Sequence, residues 1–239
     1  MTALLLSPDE WQAVRLSVVV AFAAVAGSLP LAIATAWLLA RRNFRGKIVV
    51  EMLVNLPLVL PPVVTGWLLL VAFGTRGFVG RWLEEWLGLR LVFDWKGAAV
   101  ASAVVAFPLM VRAIRVALAM IDQDVEDAAR SLGAGRLGTF WRVTLPLARP
   151  GLVAGCVLAF ARSIGEFGAT IMIAGSIPGQ TRTIPLYVYN VLQSPGGGDA
   201  AWRVVVVSVV VSGVALVVAQ GLEGRAGRER VVRRGTVRG

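Results

Sequence analysis

Five long apolar runs, at roughly 13–40, 48–74, 97–121, 151–174 and 202–221, constrain this chain more than any other feature. A soluble core is assembled from short apolar segments, whereas a run of about 20 residues rises the 30 Å of a bilayer's hydrocarbon at 1.5 Å per residue. Composition agrees: 57% of the 239 residues are hydrophobic, 16% are charged and the mean hydropathy is +0.74. The expected class is an all-α integral membrane protein of five transmembrane helices. No cleavable signal peptide is expected, because the first run is too long for one. Histidine is absent and Cys156 is the only cysteine. That composition excludes intrachain disulfides and Cys/His metal clusters.

A net charge of +10 would suit a nucleic-acid binder if the basic residues shared one surface, but they lie between the runs. Their distribution instead orients the chain, since Lys and Arg collect on the cytoplasmic side. The face reached by the ends of runs one, three and five collects 16 of the 24 basic residues, Arg112 and Arg115 included, and the other face collects 7, with Arg162 left inside a run. This places the N-terminus outside and the C-terminus and segment 122–150 in the cytoplasm. Trp11, Trp37, Trp67, Trp95 and Trp202 fall near run ends, where indole rings anchor at headgroup depth. Segment 175–201, with Pro178, Pro185 and Pro195, is expected outside the bilayer, with a short amphipathic helix near Leu186–Leu192.

Segment 122–150 opens with acidic residues, continues as an amphipathic helix and breaks at glycines, so two short helices around a turn are expected. Within it Asp127, Ala128 and Ala129 are followed by Gly133 and, nine residues further, by Val143, Thr144, Leu145 and Pro146. This spacing resembles the cytoplasmic "EAA" loop of ABC-importer permeases, with Asp127 in place of Glu, Glu126 beside it, and Val143 in place of Ile. The resemblance implies a coupling helix that enters a groove on a separate ATPase subunit, with Glu126, Asp127, Ala128, Ala129, Gly133, Leu145 and Pro146 at the contact; small faces suit that mode of docking. Gly133 to Gly138 also satisfies G-x-G-x-x-G, but a helix rather than a strand precedes it and position 158 is Leu rather than an acid. No G-x-x-x-x-G-K-[ST] loop occurs, so the chain is not expected to hydrolyse ATP itself.

Two features lie deep in the apolar runs. Pro57, Pro61 and Pro62 interrupt the second, which predicts at least a bend and, in the stronger reading, a wall of the translocation path that includes Thr65. Arg162 and Glu166 sit at i, i+4 in the fourth, about 16 and 22 Å from Gly151 on one helix face. Ionisable groups at such depth face a partner or a watery path. They are read either as a mutually neutralising pair or as part of an anion route or gate, with Gly165 and Gly168 permitting close backbone approach.

These stretches, with Phe107-Pro108-Leu109 and Ile177-Pro178-Gly179, make the chain similar to the permeases of molybdate importers. That resemblance implies a single transmembrane domain over 1–239, a homodimer in the lipid bilayer of the inner (plasma) membrane, two ATPase subunits at the loops, an external oxyanion-binding protein, and no cofactor, metal, nucleic acid or catalytic group in the chain. Sulfate or thiosulfate permeases share the Arg-x-x-Gly-Glu-Phe-Gly theme and are the nearest alternative. A membrane-embedded enzyme lacks candidate groups here, and a secondary transporter would show an inverted repeat of broken helices, which is not apparent.

Overall fold

The computed structural model describes residues 6–194, 198, 201–214 and 217. Among them every regular element is helical. Helix α1 (Pro8–Arg41) begins with a capping box: Ser7 accepts from the Glu10 N–H at 3.3 Å, and Glu10 accepts from the Ser7 N–H at 2.6 Å. Two shorter helices follow, α2 (Lys47–Val59) and α3 (Pro62–Phe73), and then α4 (Phe78–Leu87). Helix α5 (Trp95–Ala119), capped by Asp94, is the axis of the molecule, with 13 of its residues buried. Helices α6 (Gln123–Ser131) and α7 (Arg136–Thr139) come next. A π-helical turn at Phe140–Thr144 then joins α7 to α8 (Leu145–Ile164) in one 29-residue apolar rod. The chain continues through α9 (Gly168–Ala174), α10 (Ile184–Leu192) and α11 (Ala201–Val214).

Packing is dense where α1, α5 and α8 meet. Ala32, Ala36, Ala106, Ala148 and Ala159 are fully or almost fully buried there around Met110, Ile114 and Leu118. Between membrane helices lipid tails are as apolar as the contact itself, so association depends on small residues that let backbones approach. A second cluster joins Val20 of α1 and Ala98, Ala101 and Val105 of α5 to Ala169 and Ile173 of α9. At the N-terminal end of α1, Ala13 and Val14 pack on Ile184 and Tyr187 of α10 and Val204 of α11. The buried Glu10 binds Arg203 at 3.0 Å across the same contact. The helix expected near 186–192 is therefore present as α10, and it packs onto α1.

Five spans with a bend in the second are expected; the bend is present, while the extent and continuity of the fourth run differ from the expectation. Helices α1, α5 and the α7–α8 rod are each long and apolar enough to cross a membrane alone. The second run is a pair, α2 and α3, bent by 113° at Leu60 and Pro61, because two consecutive prolines remove N–H donors and exclude helical geometry from the residues before them. The fourth run stops at Gly165 and restarts as α9, so 151–174 is two helices. Residues 136–150, expected within the cytoplasmic loop, are helical and continuous with that run. The fifth run is described only as the 14-residue α11; its remainder and the C-terminal arginines used in the charge count lie outside the described residues.

Candidate functional site

The structure brings the residues singled out by sequence into two separate groups, one around α6 and one at the break between α8 and α9. Helix α6 starts where the Asp122 side chain accepts from the Asp124 N–H at 3.1 Å. It ends in a Schellman motif: the Ala134 N–H reaches the Ala129 carbonyl at 3.1 Å and the Gly133 N–H reaches that of Arg130 at 3.0 Å. Gly133 has φ +89°, and an added Cβ would meet nothing within 4 Å. The glycine therefore answers a left-handed backbone position on an open surface, a sharper reason than the small face expected of it.

The two acidic residues of this loop divide their roles. Asp127 is exposed and, among the described residues, pairs only with Arg130, at 2.8 Å. Glu126 is 6% exposed, and its carboxylate accepts from Arg41 at 3.0 Å and from the Thr144 hydroxyl at 2.8 Å. It thereby ties α6 to the end of α1 and to the π-helical turn that opens the rod. Ala128 and Pro146 are exposed, while Ala129 and Leu145 are half-buried. Glu126→Ala is expected to destabilise the chain by about 3 kcal/mol, since the buried Arg41 would lose its counter-charge. Thermal unfolding in detergent checks this, and the double change Arg41→Met with Glu126→Leu is expected to recover most of the loss.

In the second group, α3 lies against α9 through two glycines. A Cβ on Gly66 would stand 2.7 Å from both the Cα and carbonyl oxygen of Ala169, and one on Gly168 would stand 2.9 Å from Pro62 Cβ and 3.2 Å from Val63 N. Gly66 was not among the expected site residues; its apolar surroundings look like any packed helix. Gly165, expected to allow close approach, faces open space instead. Gly66→Ala is expected to push α3 off α9 and cost about 1–3 kcal/mol by overpacking. Because both neighbours are backbone or Cβ atoms, no rotamer relieves the clash; loss of folded yield on size-exclusion chromatography checks it.

Arg162 and Glu166 form an ion pair of 2.7 Å, yet not along one helix face as expected. Arg162 lies in the last turn of α8 and Glu166 lies beyond its cap residue, Gly165. Glu166, 2% exposed, also accepts from the Ala169 N–H at 2.9 Å, so one carboxylate binds the end of α8 and starts α9. The Arg162 side chain remains 31% exposed. Pro61 and Pro62 are exposed at the α2–α3 bend, and Thr65 is buried one turn on. The hydroxyls of Thr65 on α3, Ser102 on α5, Ser163 on α8 and Thr170 on α9 are buried with no hydrogen-bond partner among the described residues. Unpaired hydroxyls in an apolar setting are costly. The last three were missed by sequence, where an isolated Ser or Thr in an apolar run carries no signal beyond its polarity.

Residues 28–225 match the family described as the binding-protein-dependent transport system inner membrane component. The chain belongs to this family. Among curated proteins, it is 51% identical over 230 residues to the molybdenum transport system permease protein ModB of Escherichia coli strain K12, covering 96% of this chain and 100% of that protein. It is 36% identical over 223 residues to the sulfate transport system permease protein CysW of Synechocystis, covering 92% and 79%. Among solved structures, a chain of a bacterial alginate ABC transporter in complex with an alginate-bound periplasmic protein superposes with a TM-score of 0.70 at 18% identity, covering 92% of this chain and 80% of that one. The fold is that of an ABC-importer permease, and the chain is a multi-pass membrane protein.

Proposed function

We propose that this chain is the transmembrane subunit of an ABC importer that carries molybdate, or the nearly isosteric tungstate, into the cytoplasm. The observation that carries this reading is the 51% identity to the E. coli molybdenum permease over that protein's whole length. The whole chain acts as one transmembrane domain that pairs with a second copy. Its N-terminus is outside and its C-terminus and α6 are cytoplasmic. A separate ATPase subunit docks on α6 of each copy, and an external oxyanion-binding protein delivers the cargo to the outer face. A second reading, sulfate or thiosulfate import, is supported by the lower similarity to the Synechocystis protein.

The geometry supports a specific route of coupling. Docking of the motor acts on α6, and α6 is bonded through Glu126 to the π-helical turn at the base of the α7–α8 rod. That rod is 29 residues, about 43 Å at 1.5 Å per residue, and its far end carries Arg162 and the break held by Glu166. Movement of α6 is thereby carried to the break and to α3, which leans on α9. Arg162 offers the anion a cation at that point, while Glu166 keeps it from binding too tightly. Bends and helix breaks inside a bilayer are tolerated where they line a cavity or are buried in protein, which fits this site. Co-purification of an ATPase with the tagged chain tests the partnership. With Cys156 replaced by Ser, labelling of single cysteines at Ser7 and Gly133 from either side tests the orientation; a position 133 modified only from outside would reverse it.

A further inference from the structure

A cleft of ≈ 270 Å³ opens between the end of α1, α6 and the π-helical turn, and its lining includes Trp37, Arg41, Arg42, Arg130, Arg136 and Thr139. Two of the four arginines are spent internally: Arg41 holds Glu126, and Arg130 holds Asp127 and Glu126. Arg42 and Arg136 form no ion pair with a carboxylate among the described residues. The Arg41 side chain is 9% exposed and its Nε is buried without a hydrogen-bond partner among the described residues. The Arg42 guanidinium lies over the Trp37 ring, 5.5 Å from its centroid. Stacking uses the face of the guanidinium and leaves its in-plane N–H donors for another acceptor. The site has donors and positive charge in excess and calls for an oxyanion.

Its depth says where that oxyanion comes from. Trp11 and Trp37 are exposed or half-exposed on α1 and separated by 26 residues, about 39 Å along the helix. That is the separation of the two headgroup layers of a bilayer, where Trp concentrates. Trp37 and the cleft beside it therefore lie at one headgroup layer, which is the cytoplasmic one in the orientation proposed above. The phosphates of that leaflet are anionic, and basic pockets between membrane helices on this side suit them. We infer that the cleft binds the phosphate of an anionic phospholipid, which braces α6 against the end of α1.

The test is native mass spectrometry of the full-length chain extracted from vesicles of phosphatidylglycerol and phosphatidylcholine. The natural chain is expected to retain one phosphatidylglycerol in preference to phosphatidylcholine. Arg42→Gln with Arg136→Gln is expected to weaken retention about thirtyfold, the factor two basic contacts contribute at an anionic surface. Arg42→Lys with Arg136→Lys keeps the charge and is expected to retain the lipid. Undiminished retention by the Gln pair would overturn the assignment. Displacement of the lipid by millimolar inorganic phosphate would also overturn it, in favour of a free anion. Retention in detergent does not depend on which way the chain faces, so a reversed orientation in the cysteine-labelling experiment would be distinguishable from failure here.

Discussion

Gly133→Asp is expected to abolish ATP-driven uptake in a chain that still folds and inserts. The folded protein tolerates the change because nothing lies within 4 Å of the new Cβ, and Asp is one of the few residues that enter the left-handed region at small cost, about 1 kcal/mol. What changes is the surface at the end of α6, the helix that carries the exposed Asp127, which gains a carboxylate where the motor is proposed to dock. A charge forced into a fitted groove without a partner is excluded by its desolvation. Gly133→Asn has nearly the same shape and backbone preference without the charge, and is expected to retain most of the uptake. Uptake and the amount of co-purified ATPase are measured together. Normal uptake with bound ATPase in the Asp variant would remove the coupling role from this turn.

Arg162→Ala is expected to reduce uptake to background, and the structure adds a stability cost to that outcome. Glu166 is 2% exposed and, among the described residues, would keep only the Ala169 N–H as a partner, which costs about 3–5 kcal/mol for a broken buried pair. Lost transport in the single variant is therefore ambiguous. Combining it with Glu166→Gln removes the stranded charge while the amide oxygen still accepts from Ala169. The double variant is expected to regain thermal stability and to remain inactive, because the cation at the helix break is gone. Recovery of uptake along with stability would assign the pair to structure alone.

How much of this was legible in the sequence depended on whether the signal was local. The acidic start of α6, the short helix itself, the turn after it and the bend at Pro61 and Pro62 follow from residues within a few positions of each feature. The break at Gly165 to Phe167 did not, because Ile164, Gly165 and Phe167 keep the run apolar and a hydropathy reading sees no interruption. The helical spacing of Arg162 and Glu166 even argued for continuity, although their side chains meet across a broken helix. Glu126 and Asp127 could not be ranked from sequence, since what separates them is Arg41, 85 residues away from Glu126. The same holds for Gly66, whose importance comes from Ala169 on another helix. The "EAA" spacing pointed to a partner surface, while the reason its glycine is a glycine appeared only as a backbone angle.

In the proposed function, ATP-driven transport brings molybdate inward through this chain. The most direct measurement is uptake of radiolabelled molybdate by cells lacking their own molybdate permease, with and without this chain, in the presence of excess unlabelled sulfate. Energy-dependent uptake that requires the chain and withstands sulfate is the predicted result. Uptake no greater with the chain than without it, or uptake that sulfate suppresses fully, would contradict the account.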